Sequence, residues 1–146
     1  MDQIFHYVPI FGGMQDETLE FIAAHSKEER FASGHVILKE GETGHNMYVI
    51  AEGTVRIVKN HGSGKEVELA QLNDRDFFGE MCILDTAPRS ATVMATTEVR
   101  TYSISPHAFN ELYQQKPDQY CLLLWNMSRD LSRRLRHIDE VFAGRH

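Results

Sequence analysis

Between Phe31 and Ile104 the apolar residues fall in short β-type runs separated by glycine- and asparagine-containing turns, not in the three-and-four spacing of a helix. The runs are Val36-Ile37-Leu38, Met47-Tyr48-Val49-Ile50, Thr54-Val55-Arg56-Ile57-Val58, Val67-Glu68-Leu69-Ala70-Gln71-Leu72, Ala91-Thr92-Val93-Met94-Ala95 and Val99-Arg100-Thr101-Tyr102-Ser103-Ile104. Gly34, Glu40-Gly41-Glu42-Thr43-Gly44, Glu52-Gly53 and Gly62-Ser63-Gly64 punctuate them, and several of these positions call for positive φ. Closely spaced short strands with such turns predict a sandwich or barrel. The fold class is mainly β with flanking helices: a jelly-roll β-barrel with N-terminal helices and a long C-terminal helix.

The flanks carry a helical period. Asp16 to Ala24 combines helix formers with apolar residues at 19, 22 and 23, and Asp16 is placed to cap them. Phe5, Val8, Ile10 and Phe11 form a preceding apolar segment expected to pack on the same core. Asp118 to Phe142 predicts a long helix. Along it Leu124, Leu131, Leu135, Ile138 and Phe142 recur at spacings of seven, four, three and four, close to a heptad seam interrupted by Ser128, while Leu123, Trp125 and Met127 widen the apolar face near its start. Such a stripe packs either on its own domain or on a second copy of the helix. Arg129, Arg133 and Arg136 read as a solvated face with Asp130, Asp139 and Glu140 nearby. The chain is thus expected to be one domain over 1–146: a helical segment 1–30, a barrel 31–105 and C-terminal helices 106–146.

A chain of 146 residues buries roughly two-thirds of its unfolded surface. Its 42% hydrophobic and 25% charged residues are ordinary for a globular protein and exclude a disordered one. A formal charge of −6 disfavours a general nucleic-acid binder, which needs a basic surface. Cys82 and Cys121 are too few for a disulfide framework and lie in apolar contexts, so a reducing, cytoplasmic compartment is expected. Residues 1–20 lack a basic start and an unbroken apolar core, and the longest strongly apolar run, Cys121 to Trp125, is too short to span a bilayer. No membrane partner is expected.

The segment from Phe78 to Val93 carries the chemistry. Gly79 has no Cβ, so backbone there can approach a ligand, and the residues after it can open a helix whose free N–H groups face an anion. Nine positions after Glu80, Arg89 supplies a planar, permanently charged fork that fits two phosphate oxygens. Glu80, acceptor-only when ionised, suits a sugar hydroxyl and repels a phosphate. Ser90 adds a hydroxyl and an N–H beside Arg89, and Pro88 stiffens the approach to it. Taken alone, a Glu and an Arg at this separation are usually a solvated ion pair. Their frame changes that reading.

Phe78-Gly79-Glu80, an apolar run, and Pro88-Arg89-Ser90-Ala91-Thr92-Val93 together resemble the phosphate-binding cassette of cyclic nucleotide-binding domains, the family of cAMP receptor proteins and protein kinase A regulatory subunits. The resemblance covers essentially the complete chain. Phe31-x-x-Gly34-x-Val36-Ile37-x-x-Glu40-Gly41-x-x-Gly44-x-x-Met47-Tyr48-Val49-Ile50-x-x-Gly53-x-Val55 is similar to the first half of such a barrel, and Leu72-x-x-x-Asp76-Phe77 leads into the cassette. Arg75 departs from the pattern, where the family commonly has Gly before Asp76. The resemblance implies that Gly79, Glu80, Met81 and Cys82 meet the ribose and phosphate and that Arg89, Ser90 and Ala91 close on the phosphate. Ile57 and Leu69, inward-facing by alternation, would line the base, with further base contacts from Arg136, His137 and Ile138 on the end helix. It also implies a non-enzymatic sensor of cAMP, or of cGMP, without a cofactor. Ligand binding would shift the C-terminal helix, which would pair two copies and signal to a downstream protein that the sequence does not identify.

Two other readings belong to different classes. One is the effector-binding and dimerisation part of a transcription regulator of the cAMP receptor type. Its helix-turn-helix would follow the dimer helix, and with the sequence ending at His146, direct DNA binding is not expected. The other is a scaffold, or a cyclic dinucleotide-binding module, against which the intact Glu80 and Arg89 argue. Six of the eight histidines, His25, His35, His45, His61, His107 and His137, are scattered over turns and helices, which disfavours a metal site. Gly62-Ser63-Gly64-Lys65 lacks the spacing of a P-loop and reads as a hairpin turn. No Gly-x-Ser-x-Gly elbow is present, and nothing argues for catalysis.

Overall fold

The computed structural model describes residues 3–80 and 87–144. Two 3₁₀ turns, Ile4–Tyr7 and Pro9–Phe11, precede helix α1, Asp16–Ala24. Eight strands follow: β1 Ser26–Phe31, β2 Val36–Leu38, β3 Met47–Glu52, β4 Val55–Lys59, β5 Val67–Leu72, β6 Phe77–Phe78, β7 Thr92–Ala95 and β8 Val99–Ile104. Helices α2, Pro106–Gln115, and α3, Pro117–Ala143, complete the described chain. The strands form two antiparallel four-stranded sheets, ordered β1-β8-β3-β6 and β2-β7-β4-β5, a jelly-roll arrangement. Among the described residues no helix is long and apolar enough to cross a membrane.

Strand alternation explains how one sheet serves two cores. Along β3, Met47 and Val49 join the helices in one buried cluster, while Tyr48 and Ile50 pack in the other, between the sheets. β6 does the same with two residues, Phe77 facing the helices and Phe78 the space between the sheets. Phe5, Val8, Ile10 and Phe11 are all buried in the helix-side cluster, as their spacing in the sequence suggests. α3 is tied to that N-terminal segment by Asn126, whose Nδ2 donates to the carbonyls of Ile10 at 2.9 Å and Gly12 at 3.0 Å.

Two boundaries differ from the sequence reading. Strand structure begins at Ser26, not near Phe31, because β1 pairs with β8 from Ser26 opposite Ile104 to Phe31 opposite Val99. The cap of α1 is Gln15, in extended backbone, and not Asp16. The Gln15 N–H is held by the Oε1 of buried Gln119 at 2.8 Å, which fixes the chain one residue earlier, and Asp16 becomes a first-turn acid favoured by the helix dipole. α2 is capped by Ser105, whose hydroxyl accepts the Ala108 N–H at 3.3 Å. Pro117 separates α2 from α3, since the residue before a proline leaves helical geometry and Lys116 sits at φ −141°, ψ 71°.

Candidate functional site

β6 ends at Phe78, and Gly79 turns the chain with φ +80°. A Cβ at Gly79 would stand 2.9 Å from the Asn46 carbonyl oxygen and 3.1 Å from Arg89 Nη1, so both the backbone angle and the close approach require glycine. Glu80 follows, partly buried. Met81 and Cys82, also expected at the site, lie outside the described residues.

Arg89 is fixed at both ends. Its backbone N–H donates to the Glu42 carbonyl at 2.8 Å, and its own carbonyl accepts the Gly41 N–H at 2.8 Å. At the tip, Nη1 donates to the Gly79 carbonyl at 3.1 Å and Nη2 to the Asn46 carbonyl at 2.9 Å. Arg89 Nε is buried without a hydrogen-bond partner among the described residues. The glycine-rich turn 41–44 is therefore the seat of the cationic arm.

A second set of contacts braces this arm from outside. Lys59 Nζ donates to the Ser90 carbonyl at 2.7 Å and lies 3.2 Å from Glu40 Oε2. The Glu40 N–H donates to Thr92 Oγ1 at 3.1 Å, and Glu40 Oε1 accepts the Asn60 N–H at 3.0 Å. That Asn60 bond, with Lys59 after it, holds the Glu40 carboxyl below the usual carboxylate range.

Between the second sheet, the cassette and α3 lies a cavity of about 400 Å³. Gly79, Glu80, Arg89, Ser90 and Ala91 border it from the cassette, Ile57 and Leu69 from β4 and β5, and Ile138 from α3. Eight residues singled out by sequence thus meet around one space of the size small ligands occupy. Arg136 and His137 do not border it: both are exposed, and His137 lines a neighbouring groove with Gln71 and Arg133. The model of the cyclic nucleotide-binding domain family matches residues 28–116. The chain belongs to the cyclic nucleotide-binding domain family.

The relatives fall in the same family. The CRP-like cAMP-activated global transcriptional regulator of Mycobacterium tuberculosis is 32% identical over 143 residues, which are 98% of this chain and 62% of that protein. The crystal structure of the Thermus thermophilus catabolite activator protein superposes with a TM-score of 0.77 at 29% identity, covering 92% of this chain and 62% of that one. A cyclic nucleotide-binding domain from Methylobacillus flagellatus shares the fold with a TM-score of 0.86 at 21% identity, covering 99% of this chain and 81% of that one. The domain spans about three-fifths of the length of the curated relatives it matches.

In this cyclic nucleotide-binding domain the helix side of the cavity is made by Leu131, Arg134, Leu135 and Ile138. Arg134 was not singled out by sequence. Its Nε is 2.9 Å from Asp130 Oδ2 one turn earlier, and its guanidinium carbon lies 4.1 Å from the centroid of the Phe77 ring. Arg134 Nη2 is buried with no hydrogen-bond partner among the described residues. Burial pushes the Glu80 carboxyl above its ordinary value, against the pull of its own backbone N–H, of Arg134 and of Arg89, while Asp130 adds to the rise. A signal for Arg134 was present in the sequence: it lies three residues after Leu131 and four before Ile138, inside the apolar stripe.

Proposed function

We propose that the domain is a regulatory sensor that takes up a cyclic purine mononucleotide, with cAMP as the reference ligand and cGMP as the alternative. Arg89 receives the phosphate, Glu80 the ribose hydroxyl, and Ile57 and Leu69 the base. The observation that carries this reading is the cavity on which a partly buried carboxyl and a backbone-seated guanidinium converge between apolar walls. The cAMP-activated regulator from M. tuberculosis, 32% identical, supports the choice of cAMP. Since α3 forms one wall, a ligand with different affinity for two poses of α3 shifts their populations, and the module acts by that shift and not by catalysis. The output passes through α3 to a second copy and to a downstream partner. A second reading is that the domain is the effector-binding part of a transcription regulator, favoured by its likeness to cAMP-activated global transcriptional regulators.

Calorimetric titration with cAMP, cGMP and cyclic di-GMP, paired with thermal melting, tests the proposal. A ligand at a hundred times its Kd stabilises the fold by about 2.7 kcal/mol. Saturable binding of a cyclic mononucleotide with a rise in Tm is expected. Absence of both at millimolar cAMP and cGMP overturns it.

A further inference from the structure

Lys59 is the last residue of β4 and does not border the cavity, yet its ammonium reaches the cassette, where Nζ donates to the Ser90 carbonyl at 2.7 Å. The ammonium is itself seated. Glu40 Oε2 lies 3.2 Å from it, and Glu40 is pinned at both ends: Oε1 accepts the Asn60 N–H at 3.0 Å, and its own N–H donates to Thr92 Oγ1 at 3.1 Å. Thr92 is buried, so this seat rests on the barrel wall. One residue before Ser90, the Arg89 carbonyl accepts the Gly41 N–H at 2.8 Å. The two peptide planes that flank Ser90 are thus held by separate partners, Arg89–Ser90 by the turn at Gly41 and Ser90–Ala91 by Lys59. With both planes held, φ and ψ of Ser90 are set, and with them the directions of its N–H and of its Cβ.

We infer that Lys59 is a positioning residue for phosphate recognition: by holding the Ser90 carbonyl it aims the Ser90 N–H and hydroxyl at the anion that Arg89 receives. The inference rests on the proposed uptake of a cyclic nucleotide. Ser90 borders the cavity beside Arg89, where its two donors suit a phosphate oxygen and its carbonyl, an acceptor, would repel one. The carbonyl therefore has to be kept turned aside. Ser90 lies two residues before β7 begins at Thr92, so strand pairing does not yet fix its backbone. A charge-assisted bond from an ammonium, about twice as strong as a neutral one, takes over that task.

The Sp and Rp phosphorothioates of cAMP each replace a different exocyclic phosphate oxygen by sulfur, a weaker acceptor. Titrations of cAMP and both analogues into wild type, Lys59→Met and Lys59→Arg, with each fold checked by thermal melting, give the test. Both variants leave every side chain that borders the cavity in place. Lys59→Met is expected to weaken cAMP about tenfold, the range of one hydrogen bond to a charged group. It should also change the ratio of the two analogue Kd values by about threefold or more, because only the oxygen that Ser90 serves loses its aligned donors. Lys59→Arg keeps a cationic donor and should bring both quantities back toward wild type. An equal loss for cAMP and both analogues overturns the inference, since a missing charge or a loosened barrel acts on both oxygens alike. The Ser90 amide proton gives a readout that needs no variant to fold: it is expected to move downfield when cAMP saturates wild type, and a resonance that stays in place overturns the inference. If wild type binds no cyclic nucleotide, the proposed function fails and this inference with it; cAMP binding that is the same in wild type and folded Lys59→Met sinks the role of Lys59 alone.

Discussion

Gly44 faces Arg89 so closely that a Cβ on it would stand 2.7 Å from both Nε and Nη2 of the guanidinium. The atoms in the way belong to the end of a flexible side chain, so an alanine at 44 moves the fork and leaves the backbone in place. Gly44→Ala is therefore expected to fold, with a Tm lowered by a few degrees because displacing the fork strains its bonds to the Gly79 and Asn46 carbonyls, at a cost of about 1–2 kcal/mol. Its affinity for cAMP should fall about tenfold through loss of fork alignment. Calorimetry beside thermal melting checks both, and unchanged affinity would show that the fork does not hold the phosphate.

Arg89→Ala removes the cation itself. If the phosphate is buried against it, the loss is about 3–5 kcal/mol, a hundredfold or more in Kd, because the partner charge is left unpaired. Glu80→Ala removes one charge-assisted bond to a neutral hydroxyl and should cost about 1.5–3 kcal/mol. Titration with 2′-deoxy-cAMP separates them: Glu80→Ala should hardly affect its binding, whereas Arg89→Ala should weaken it as much as cAMP.

The cassette ends and the barrel strands were legible because local chemistry dictates them: a glycine at φ +80°, a proline before the arginine, and alternation that turns Ile57 and Leu69 inward. β1 was not. Ser26-Lys27-Glu28-Glu29-Arg30-Phe31 has its polar residues exposed or half-exposed, and its strand state comes from pairing with β8, a partner about seventy residues away. The brace of Lys59 on Ser90 is equally non-local. For α3 the period was readable but the docking angle was not. Arg136 lies two residues beyond Arg134, about 200° around the helix, so selecting 136–138 placed two of three contacts off the cavity face.

Acid titration should separate the two carboxylates by sign. Burial raises the folded pKa of Glu80, so its ionised form destabilises the fold above that raised value, and the penalty vanishes once both folded and unfolded forms are protonated below about 4.5. Glu80→Gln should therefore melt higher than wild type at pH 7, with the gap closing as pH falls toward 4.5. Glu40 is depressed in the fold, so its contribution is present above the ordinary value of 4.5 and is lost as pH falls through the depressed one. Glu40→Gln should melt lower at pH 7 and converge on wild type in acid. Melting curves from pH 7 to pH 3.5 check this, and gaps of the same sign for both variants would contradict it.

Arg75 occupies φ +75°, held there by its N–H to the Ile50 carbonyl at 2.7 Å and by the Ile50 N–H to the Asp76 carbonyl at 2.8 Å. A glycine adopts that angle without the steric cost an L side chain carries. Arg75→Gly also removes a guanidinium 5.7 Å from the Tyr7 ring, a contact worth about 0.5–1 kcal/mol at an exposed site. The strain term, about 1–2 kcal/mol, is the larger. The variant should gain about 0.5–1 kcal/mol in chemical denaturation at unchanged m-value. A loss of stability would mean that the Tyr7 contact outweighs the strain.

The apolar stripe of α3 divides between two surfaces. Leu131, Leu135 and Ile138 border the cavity, Leu135 at its edge and 60% exposed, while Trp125 is 65% exposed and Phe142 43%. Cys121, Trp125, Ser128, Ser132, Leu135, Asp139 and Phe142 follow one another at alternating steps of four and three along the exposed side, the spacing of a two-stranded seam. We expect a homodimer through this face, since large apolar side chains at seam spacing are better covered by a second helix than by water. Trp125→Glu with Phe142→Glu sets like charges across a two-fold axis and should give monomers. Light scattering of wild type and the double variant, with and without cAMP, decides the matter. Leu135 and Ile138 are left unchanged because both border the cavity, so a shift to monomer cannot be ascribed to a damaged binding site. A wild-type monomer at high concentration in both conditions would refute the seam, and the exposed face of α3 would then be free to engage a different protein.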